Sequence, residues 1–274
     1  ALDQASQFVE KYLGAANGRI NGRLGPHAPY TCPEPFLVEV LNRAQSLKCG
    51  IHIHLAETKS EVQGLMKETG QTPVEFYCKA LRDVGSVSSL AAHCVYISDR
   101  DIDLLAENNI GVAHNPGSNL KLASGVAPLP ALLQQGINVG LGTDGAASNN
   151  NLDLLEEARL AALIHKYTSD DPTIVSAEQA LRLATIEGAR ALGMADRIGS
   201  LEVGKQADLV ILDEKRPHLY PRHDVVSRII YSARASDVVL VLVAGKVVVE
   251  NGLATTVDRT EIMNQTQRII KELW

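Results

Sequence analysis

Apolar and polar positions follow two alternating patterns along the first part of the chain. Short apolar runs of strand length recur, and most are followed by a longer segment with helical spacing. The runs occupy residues 50–55, 87–93, 111–114 and 138–143, and residues 7–25 indicate an earlier helix and a strand that ends near His27. Repeated strand–helix–strand order predicts βαβ units and a parallel sheet.

Helices are predicted at residues 58–69, 98–109, 129–135 and 152–166. Ser98 followed by Asp101 gives the helix at residue 98 a weak capping-box pattern. A closed (β/α)₈ barrel needs eight strands. Five strands before residue 150 therefore predict an α/β fold that is either a partial barrel or an open doubly wound sheet.

The pattern changes after about residue 200, where glycines punctuate β-rich runs at residues 207–212, 238–244 and 246–250. The last two runs are joined at Ala244-Gly245, which indicates a tight hairpin. Residues 259–273 have the pattern of a mixed-charge helix. We expect an α/β portion at residues 1–204, a small β-rich portion at 205–257 and a terminal helix at 258–274.

Composition narrows the class of partner. The net charge is −6 and aromatic residues make up 4%, which argues against a nucleic acid partner. No apolar run approaches the length of a membrane span. A small-molecule partner is expected, and a homo-oligomer is left open. The four cysteines form no CxxC pair and no signal peptide is evident, which favours reduced thiols and a cytoplasmic location.

Side chains capable of metal or acid–base chemistry follow the predicted strands. In parallel α/β folds functional residues collect at the C-terminal strand ends. Here those ends carry His27, His54 with Glu57, His93, His114 with Asn115, and Asp144. Histidines that end successive strands, followed by a closing aspartate, favour a mononuclear metal site with acid–base partners.

Spacing separates some of these candidates. His52 and His54 share one strand face, and His54 lies nearer the strand end, so it is the better ligand. Glu57 follows shortly after His54, near the same C-terminal strand end, and could relay a proton. Each candidate also has a structural alternative: a hydrogen-bonded core histidine for His54, and an Asx turn or helix N-cap for Asp144.

Other candidates are weaker. The segment after His114 contains Asn, Pro and Gly and favours a structural loop. Cys94 as a nucleophile would need His93 beside it, but adjacent strand residues point to opposite faces. The remaining histidines are predicted to lie on the surface: His165, His218 and His223.

Together these motifs resemble the amidohydrolase superfamily, specifically its methylthioadenosine/S-adenosylhomocysteine deaminase group. The resemblance covers essentially the whole chain. The residues that carry it are Gly25–Tyr30, His54–Thr58, Ala92–Val95, His114–Leu122, Gly142–Asn150 and Ile198–Val210.

The resemblance implies strands four to eight of a TIM-type (β/α)₈ barrel, with a small C-terminal remnant of a β-sandwich. It implies one divalent metal, with zinc first and iron or manganese as alternatives. His54 and Asp144 would be metal ligands. Glu57 would protonate the purine ring and His93 would position the attacking hydroxide. His27 would contact the ribose, and Ser148 would border the site.

The implied reaction is hydrolytic deamination of a purine nucleoside of the methylthioadenosine, S-adenosylhomocysteine or adenosine type. Hydroxide adds to the amino-bearing carbon, Asp144 takes a proton and ammonia leaves. Another substrate within the family, guanine or another aminated or chlorinated heterocycle, is the alternative. An inactive fragment or a non-catalytic binding protein is the alternative of a different class.

The chain departs from the family pattern at one point. The family's first barrel strand carries an HxH pair that supplies two metal ligands, and nothing in this sequence matches it. We expect the chain to be part of a longer enzyme and to hold metal weakly by itself, since two ligands make a poor site. We also expect exposed apolar surface in the last β-rich portion.

Overall fold

Two separate sheets organise the chain in a computed structural model that describes residues 1–273. The first sheet has five strands, all parallel, and their spatial order follows their order in the sequence. These strands are β1 (Arg23–Leu24), β2 (Gly50–Leu55), β3 (Ser89–His93), β4 (Gly111–His114) and β5 (Val139–Leu141). The parallel sheet predicted from the apolar runs is therefore present.

Helices precede, connect and follow these strands. They are α1 (Leu2–Tyr12), α2 (Ala15–Gly18), α3 (Glu34–Leu47), α4 (Lys59–Thr69), α5 (Pro73–Val84), α6 (Asp99–Glu107), α7 (Pro116–Lys121), α8 (Leu129–Gln134), α9 (Ala146–Asn149), α10 (Leu154–Ser169), α11 (Ala177–Leu183), α12 (Ile186–Ala191), α13 (Val225–Tyr231) and α14 (Arg259–Leu273). Among these described helices, none combines the length and the apolar character needed to cross a membrane.

Burial of one strand face explains the apolar runs. Ile51, Ile53 and Leu55 alternate along β2 and are at most 1% exposed. They join a core that also contains Leu37 and Leu41 of α3. Between them, His52 and His54 point to the other face of the sheet, because strand side chains alternate. The sheet thus has a packed face toward the helices and a second face that carries the histidines.

α12 crosses this second face close to the backbone of β4 and β5. A Cβ placed on Gly140 would lie 2.7 Å from Cα of Gly188, and one on Gly111 would lie 2.6 Å from the Ala191 carbonyl oxygen. The Arg23 guanidinium donates to the carbonyl oxygen of Leu192 at 2.7 Å, just after α12. Glycine is needed at these contacts because no side chain fits.

The second sheet is antiparallel and contains β6 (Leu209–Leu212), β7 (Val238–Val243), β8 (Lys246–Glu250) and β9 (Leu253–Ala254). Positive φ at Ala244 and Gly245, +48° and +77°, forms the predicted hairpin turn. Apolar side chains of this sheet remain accessible, with Val210 62% exposed and Ile211 49% exposed. α14 contributes no buried residue.

Two long helices, α3 and α5, fall in segments for which the sequence patterns predicted no helix. α5 nevertheless has a clear start signal, because Thr72 and Glu75 form a reciprocal capping box and Pro73 occupies the first turn. The capping box predicted at Ser98 and Asp101 is present at the start of α6. The Asp101 carboxylate also accepts a hydrogen bond from the Thr72 hydroxyl, which ties α6 to the start of α5.

Candidate active site

The C-terminal ends of β2 and β3 bring two imidazoles into contact. The rings of His54 and His93 stack with centroids 5.4 Å apart and an interplanar angle of 21°. In a regular strand His93 would point away from Ala92. Its φ of +75° departs from strand geometry and breaks this alternation. The left-handed conformation therefore accounts for a His93 ring that lies against His54.

Left-handed backbone conformations recur at the other strand ends that carry candidate catalytic residues. Ala56, just before Glu57, has φ of +53°, and Asp144 has φ of +60°. Such conformations cost free energy in residues other than glycine and concentrate at functional sites. Cys94 is also left-handed at +49°, but it is fully buried. Burial raises the pKa of the Cys94 thiol, which argues against a role as a nucleophile.

Potential metal ligands converge at this end of the sheet. His54, His93 and Asp144 each offer one donor atom, and these atoms all lie within 4.8 Å of one another. Nδ1 of His54 lies 2.7 Å from the carbonyl oxygen of His27. A carbonyl only accepts, so Nδ1 carries the proton and Nε2 is left with its lone pair. An imidazole nitrogen so oriented beside a carboxylate fits a zinc ion or a similar divalent metal.

Asp144 is held in its ionised form. Burial opposes ionisation, but the Ser118 hydroxyl, the Gly145 amide and the Ser148 side chain outweigh it and lower the pKa of the carboxyl group. The Ser118 hydroxyl donates to Oδ2 at 2.8 Å and the Gly145 amide donates to Oδ1 at 2.7 Å. A carboxylate that stays charged near neutral pH can bind a metal or accept a proton.

Glu57 faces the same cluster. Its Oε2 lies 3.8 Å from Nε2 of His93, and its Oε1 accepts a hydrogen bond of 3.2 Å from the Ser124 hydroxyl. The backbone around Glu57 is held by Glu61, whose carboxylate accepts hydrogen bonds from the amides of Ala56, Glu57 and Thr58. The turn that presents Glu57 is therefore fixed by a side chain of the following helix, α4.

His27 and Ser148 lie at the margin of this cluster. The ring centroid of His27 is 5.1 Å from that of His54, and Nδ1 of His27 is 2.9 Å from the Thr31 hydroxyl oxygen. His27 is exposed and Ser148 is partly exposed. Both side chains remain accessible to a ligand that binds beside the metal-binding residues.

His114 does not join the cluster. Its Nε2 lies 3.1 Å from Nε2 of His165 on α10, and both residues are 1% exposed. The prediction that His165 lies on the surface was wrong, because α10 packs this side chain against the end of β4. His218 is only partly exposed and contacts the Asp237 carboxylate at 2.8 Å, whereas His223 is exposed.

Three polar residues of the site received no role from the sequence patterns. Ser118, Asn119 and Ser124 each contact one of the clustered side chains. They lie in α7 and the turn after it. The Asn-Pro start of this segment favours a structural loop, whereas the structure forms the helix α7 there. The buried position of these residues was the missing information.

Comparisons with known proteins identify relatives of this chain. Residues 2–248 match the amidohydrolase family. The 5-methylthioadenosine/S-adenosylhomocysteine deaminase of Syntrophomonas wolfei is 45% identical over 273 residues, which cover 100% of this chain and 63% of that protein. The chain therefore spans somewhat less than two thirds of the length of this relative.

Solved structures show the same fold. A zinc-bound adenosine deaminase from Xanthomonas campestris superposes with a TM-score of 0.92 at 36% identity, over 98% of this chain and 61% of that one. A zinc complex of an atrazine chlorohydrolase from Arthrobacter aurescens gives a TM-score of 0.89 at 28% identity, over 98% and 59%. The expected fold class is confirmed, and the five-stranded parallel sheet is consistent with a partial TIM-type barrel.

Proposed function

Because the chain belongs to the amidohydrolase family, we propose that it carries the metal-binding and acid–base residues of a hydrolytic purine nucleoside deaminase. This proposal rests on the donor atoms of His54, His93 and Asp144, which all lie within 4.8 Å of one another. The Glu57 carboxylate oxygen Oε2 lies 3.8 Å from Nε2 of His93. Packing alone requires none of these four polar groups at one edge of a sheet.

In this proposal His54 and Asp144 hold one divalent metal ion, with zinc preferred because the donors are an imidazole and a carboxylate. A metal held by these two residues would lower the pKa of bound water toward neutrality and so make hydroxide available. The Asp144 carboxylate accepts the proton released as attack proceeds. The lowered pKa of Asp144 keeps that acceptor ionised before the reaction begins.

Glu57 and His93 act on the substrate side of the cluster. Glu57 donates a proton to a purine ring nitrogen, so that the amino-bearing carbon becomes more electrophilic. His93 Nε2 lies 3.8 Å from this carboxylate, and in this proposal it orients the nucleophile. Charge that develops on the substrate in the transition state is then stabilised by side chains that are already in position. Such preorganisation is the main source of rate enhancement in sites of this kind.

The substrate class is proposed from the accessible margin of the site. His27 offers a polar ring beside His54, placed to contact the sugar of a nucleoside. The Syntrophomonas and Xanthomonas proteins, to which this chain is similar, are named as deaminases of adenosine compounds. We therefore propose methylthioadenosine, S-adenosylhomocysteine or adenosine as the substrate, and ammonia as a product. The expected compartment is the cytoplasm.

The second candidate is hydrolysis of a chlorinated or aminated heterocycle without a sugar. The similarity to an atrazine chlorohydrolase favours it. Triazines lack the ribose that His27 would contact, so replacing His27 separates the two candidates. His27→Ala should raise KM for a nucleoside while leaving turnover of a heterocycle without a sugar unchanged.

The deciding assay measures ammonia release by the purified, zinc-loaded protein from adenosine, methylthioadenosine, S-adenosylhomocysteine and guanine, together with chloride release from atrazine. Nucleoside deamination that is lost in Glu57→Gln supports the proposal. Activity on atrazine or guanine alone supports the second candidate. Absence of turnover with every substrate, despite bound zinc, would favour an inactive fragment or a non-catalytic binding protein over both candidates.

A further inference from the structure

One short segment contacts three of the proposed reactive side chains. Ser118 donates to Asp144 at 2.8 Å, Asn119 Oδ1 lies 2.8 Å from Nδ1 of His93, and Ser124 donates to Glu57 at 3.2 Å. The segment Ser118–Ser124 comprises the end of α7 and the turn after it. Ser118, Asn119 and Ser124 are at most 5% exposed.

Hydrogen bonds just before the segment and within it hold this segment in place. The Glu157 carboxylate, 1% exposed on α10, accepts from the Gly117 amide at 2.8 Å and from the Asn149 side chain at 2.8 Å. The Ser124 amide donates to the Asn119 carbonyl at 2.9 Å, which closes the turn. The hydrogen-bonding atoms of the segment are therefore fixed before any substrate binds.

The contact between Asn119 and His93 bears on the protonation of the imidazole. The Asn119 Oδ1 atom can only accept, so it favours the tautomer with the proton on Nδ1. Nε2 then keeps its lone pair on the side where Glu57 lies, at 3.8 Å. The opposite tautomer would leave a buried lone pair of Nδ1 facing the lone pairs of Oδ1.

Asn119 makes this contact at a cost to stability. Its Nδ2 is buried and has no hydrogen-bond partner among the described residues. A buried amide with one unpaired end destabilises a fold relative to an apolar residue of the same size. Packing does not require an amide with an unpaired end at this position, whereas the contact with His93 requires its carbonyl oxygen.

We propose that Asn119 is a positioning residue that holds His93 as its Nδ1–H tautomer, with Nε2 unprotonated toward the reaction site. The inference rests on the proposed function for its catalytic consequence, but the tautomer is a property of the chain itself. Asn119 contacts neither the metal-binding atoms nor the substrate in this scheme. It acts through His93.

The test is imidazole ¹⁵N NMR of the purified protein labelled at histidine, recorded above pH 7.5 in the presence and absence of zinc. The shifts of ring nitrogens distinguish protonated from unprotonated nitrogen, and His93→Gln identifies the His93 signals. The unsubstituted protein should show protonated Nδ1. A protonated Nε2 with an unprotonated Nδ1 would overturn the inference without any substitution at Asn119.

Two variants of similar size sharpen the test. Asn119→Leu removes the acceptor and should shift His93 toward the Nε2–H tautomer. Asn119→Asp keeps an acceptor and should retain the proton on Nδ1. Asn42→Leu, which replaces an exposed asparagine on α3, is the control and should leave the spectrum unchanged. A folded Asn119→Leu protein with an unchanged His93 tautomer would also overturn the inference.

Kinetics separate this inference from the proposed function. Removing a hydrogen-bond partner that orients an active-site imidazole lowers activity by about 10- to 100-fold. Asn119→Leu should lower kcat by that factor with a smaller change in KM. Asn119→Asp should lower kcat by a smaller factor. Protonated Nδ1 in a protein that deaminates no nucleoside would support the tautomer and refute the function. Full kcat in Asn119→Leu would refute the catalytic consequence.

Discussion

At the scale of single residues, the left-handed backbone at Asp144 joins structure to chemistry. Its φ of +60° presents the carboxylate beside His54 and His93, and asparagine tolerates this conformation as well as aspartate does. Substitution with asparagine therefore changes the charge while the turn is preserved. This allows the role of the carboxylate to be measured separately from the fold.

Asp144→Asn should lower kcat/KM by about 10²- to 10⁴-fold, because the proton acceptor and an anionic metal ligand are both lost. Bound zinc, measured by equilibrium dialysis against a fixed concentration of zinc, should fall in the same variant. Asp170→Asn is a matched control, since Asp170 is also left-handed at +50° but caps the end of α10. Equal zinc content and activity in the two variants would contradict the assignment of Asp144.

Glu61 offers a second prediction. Its carboxylate accepts three backbone amides around Glu57, so Glu61→Ala should destabilise the protein by about 1–3 kcal/mol. It should also lower kcat/KM, because the turn that presents Glu57 loses its acceptors. Urea unfolding and the ammonia assay measure the two effects.

The control for Glu61 is Glu75→Ala. Glu75 closes the same kind of capping box at the start of α5, where its carboxylate accepts from the Thr72 amide at 2.9 Å. This variant should lose stability but keep kcat/KM. Equal losses of activity in the two variants would show that Glu61 acts only through general stability.

Sequence patterns located some of these residues and not others, for a physical reason. His54, Glu57, His93 and Asp144 follow apolar runs directly, so strand topology alone predicts that they meet at one edge. The contact from Ser124 to Glu57 joins positions 67 residues apart in the sequence. No local pattern encodes it, because the path of α7 depends on packing against α10.

At the scale of elements, the crossing of α12 over β5 depends on two glycines. Gly140→Ala would place a methyl group 2.7 Å from Cα of Gly188, which is backbone and cannot move aside as a side chain could. We expect a loss of about 1–3 kcal/mol in the free energy of unfolding, measured in urea.

Gly64→Ala is the matched control for Gly140→Ala. Gly64 lies inside α4 and a Cβ there has no neighbour within 4 Å. This variant should be neutral or stabilised by up to about 1 kcal/mol, since alanine favours helix. A neutral Gly140→Ala variant would mean that α12 can move away from the sheet.

The buried contact between His114 of β4 and His165 of α10 predicts that the free energy of unfolding depends on pH. Burial lowers the pKa of His114 to about 3 and the pKa of His165 to about 4, both below the ordinary value of 6.5. Below pH 6.5 the unfolded chain binds protons that the folded chain does not. The free energy of unfolding should therefore fall between pH 6.5 and about 4, by up to about 1.4 kcal/mol per pH unit for each histidine.

Replacing both residues, as His114→Leu with His165→Leu, should flatten this slope in urea unfolding measured between pH 7 and 4.5. His223→Leu replaces an exposed histidine and should keep the slope of the unsubstituted protein. The same slope in all three proteins would mean that the pair becomes charged without unfolding.

The elements themselves were predictable where a single pattern governs them. β2 and β4 were located with their observed limits, because continuous apolar runs mark strands buried against helices. α3 begins at Glu34, between Pro33 and Pro35, and carries mixed residues, and its packing against the sheet decides its course. His165 could not be placed, since a polar residue on a helix looks the same whether it faces solvent or another histidine.

At the scale of the whole molecule, the second sheet leaves apolar side chains accessible on both faces. Val210 and Ile211 are neighbours on β6 and point in opposite directions, yet they are 62% and 49% exposed. Surfaces of this kind favour association. The purified chain should therefore self-associate as its concentration rises, as measured by sedimentation velocity.

Val210→Lys and Ile211→Lys should each weaken this association, because a charge on the surface opposes burial. Thr256→Lys adds the same charge at an exposed polar position after β9 and should have little effect. A monomer at all concentrations in the unsubstituted chain would contradict the prediction.

The order of the strands in the first sheet has a consequence for how the protein is made. Each strand pairs with the strand synthesised just before it, so the sheet can grow on the ribosome without waiting for distant sequence. The helix α12 forms its contacts later. This helix and the Leu192 carbonyl, which accepts a hydrogen bond from Arg23 of β1, are synthesised only after all five strands. These five strands should therefore pair in the order of their synthesis and become rigid late, when the segment that ends at Leu192 reaches back to Arg23.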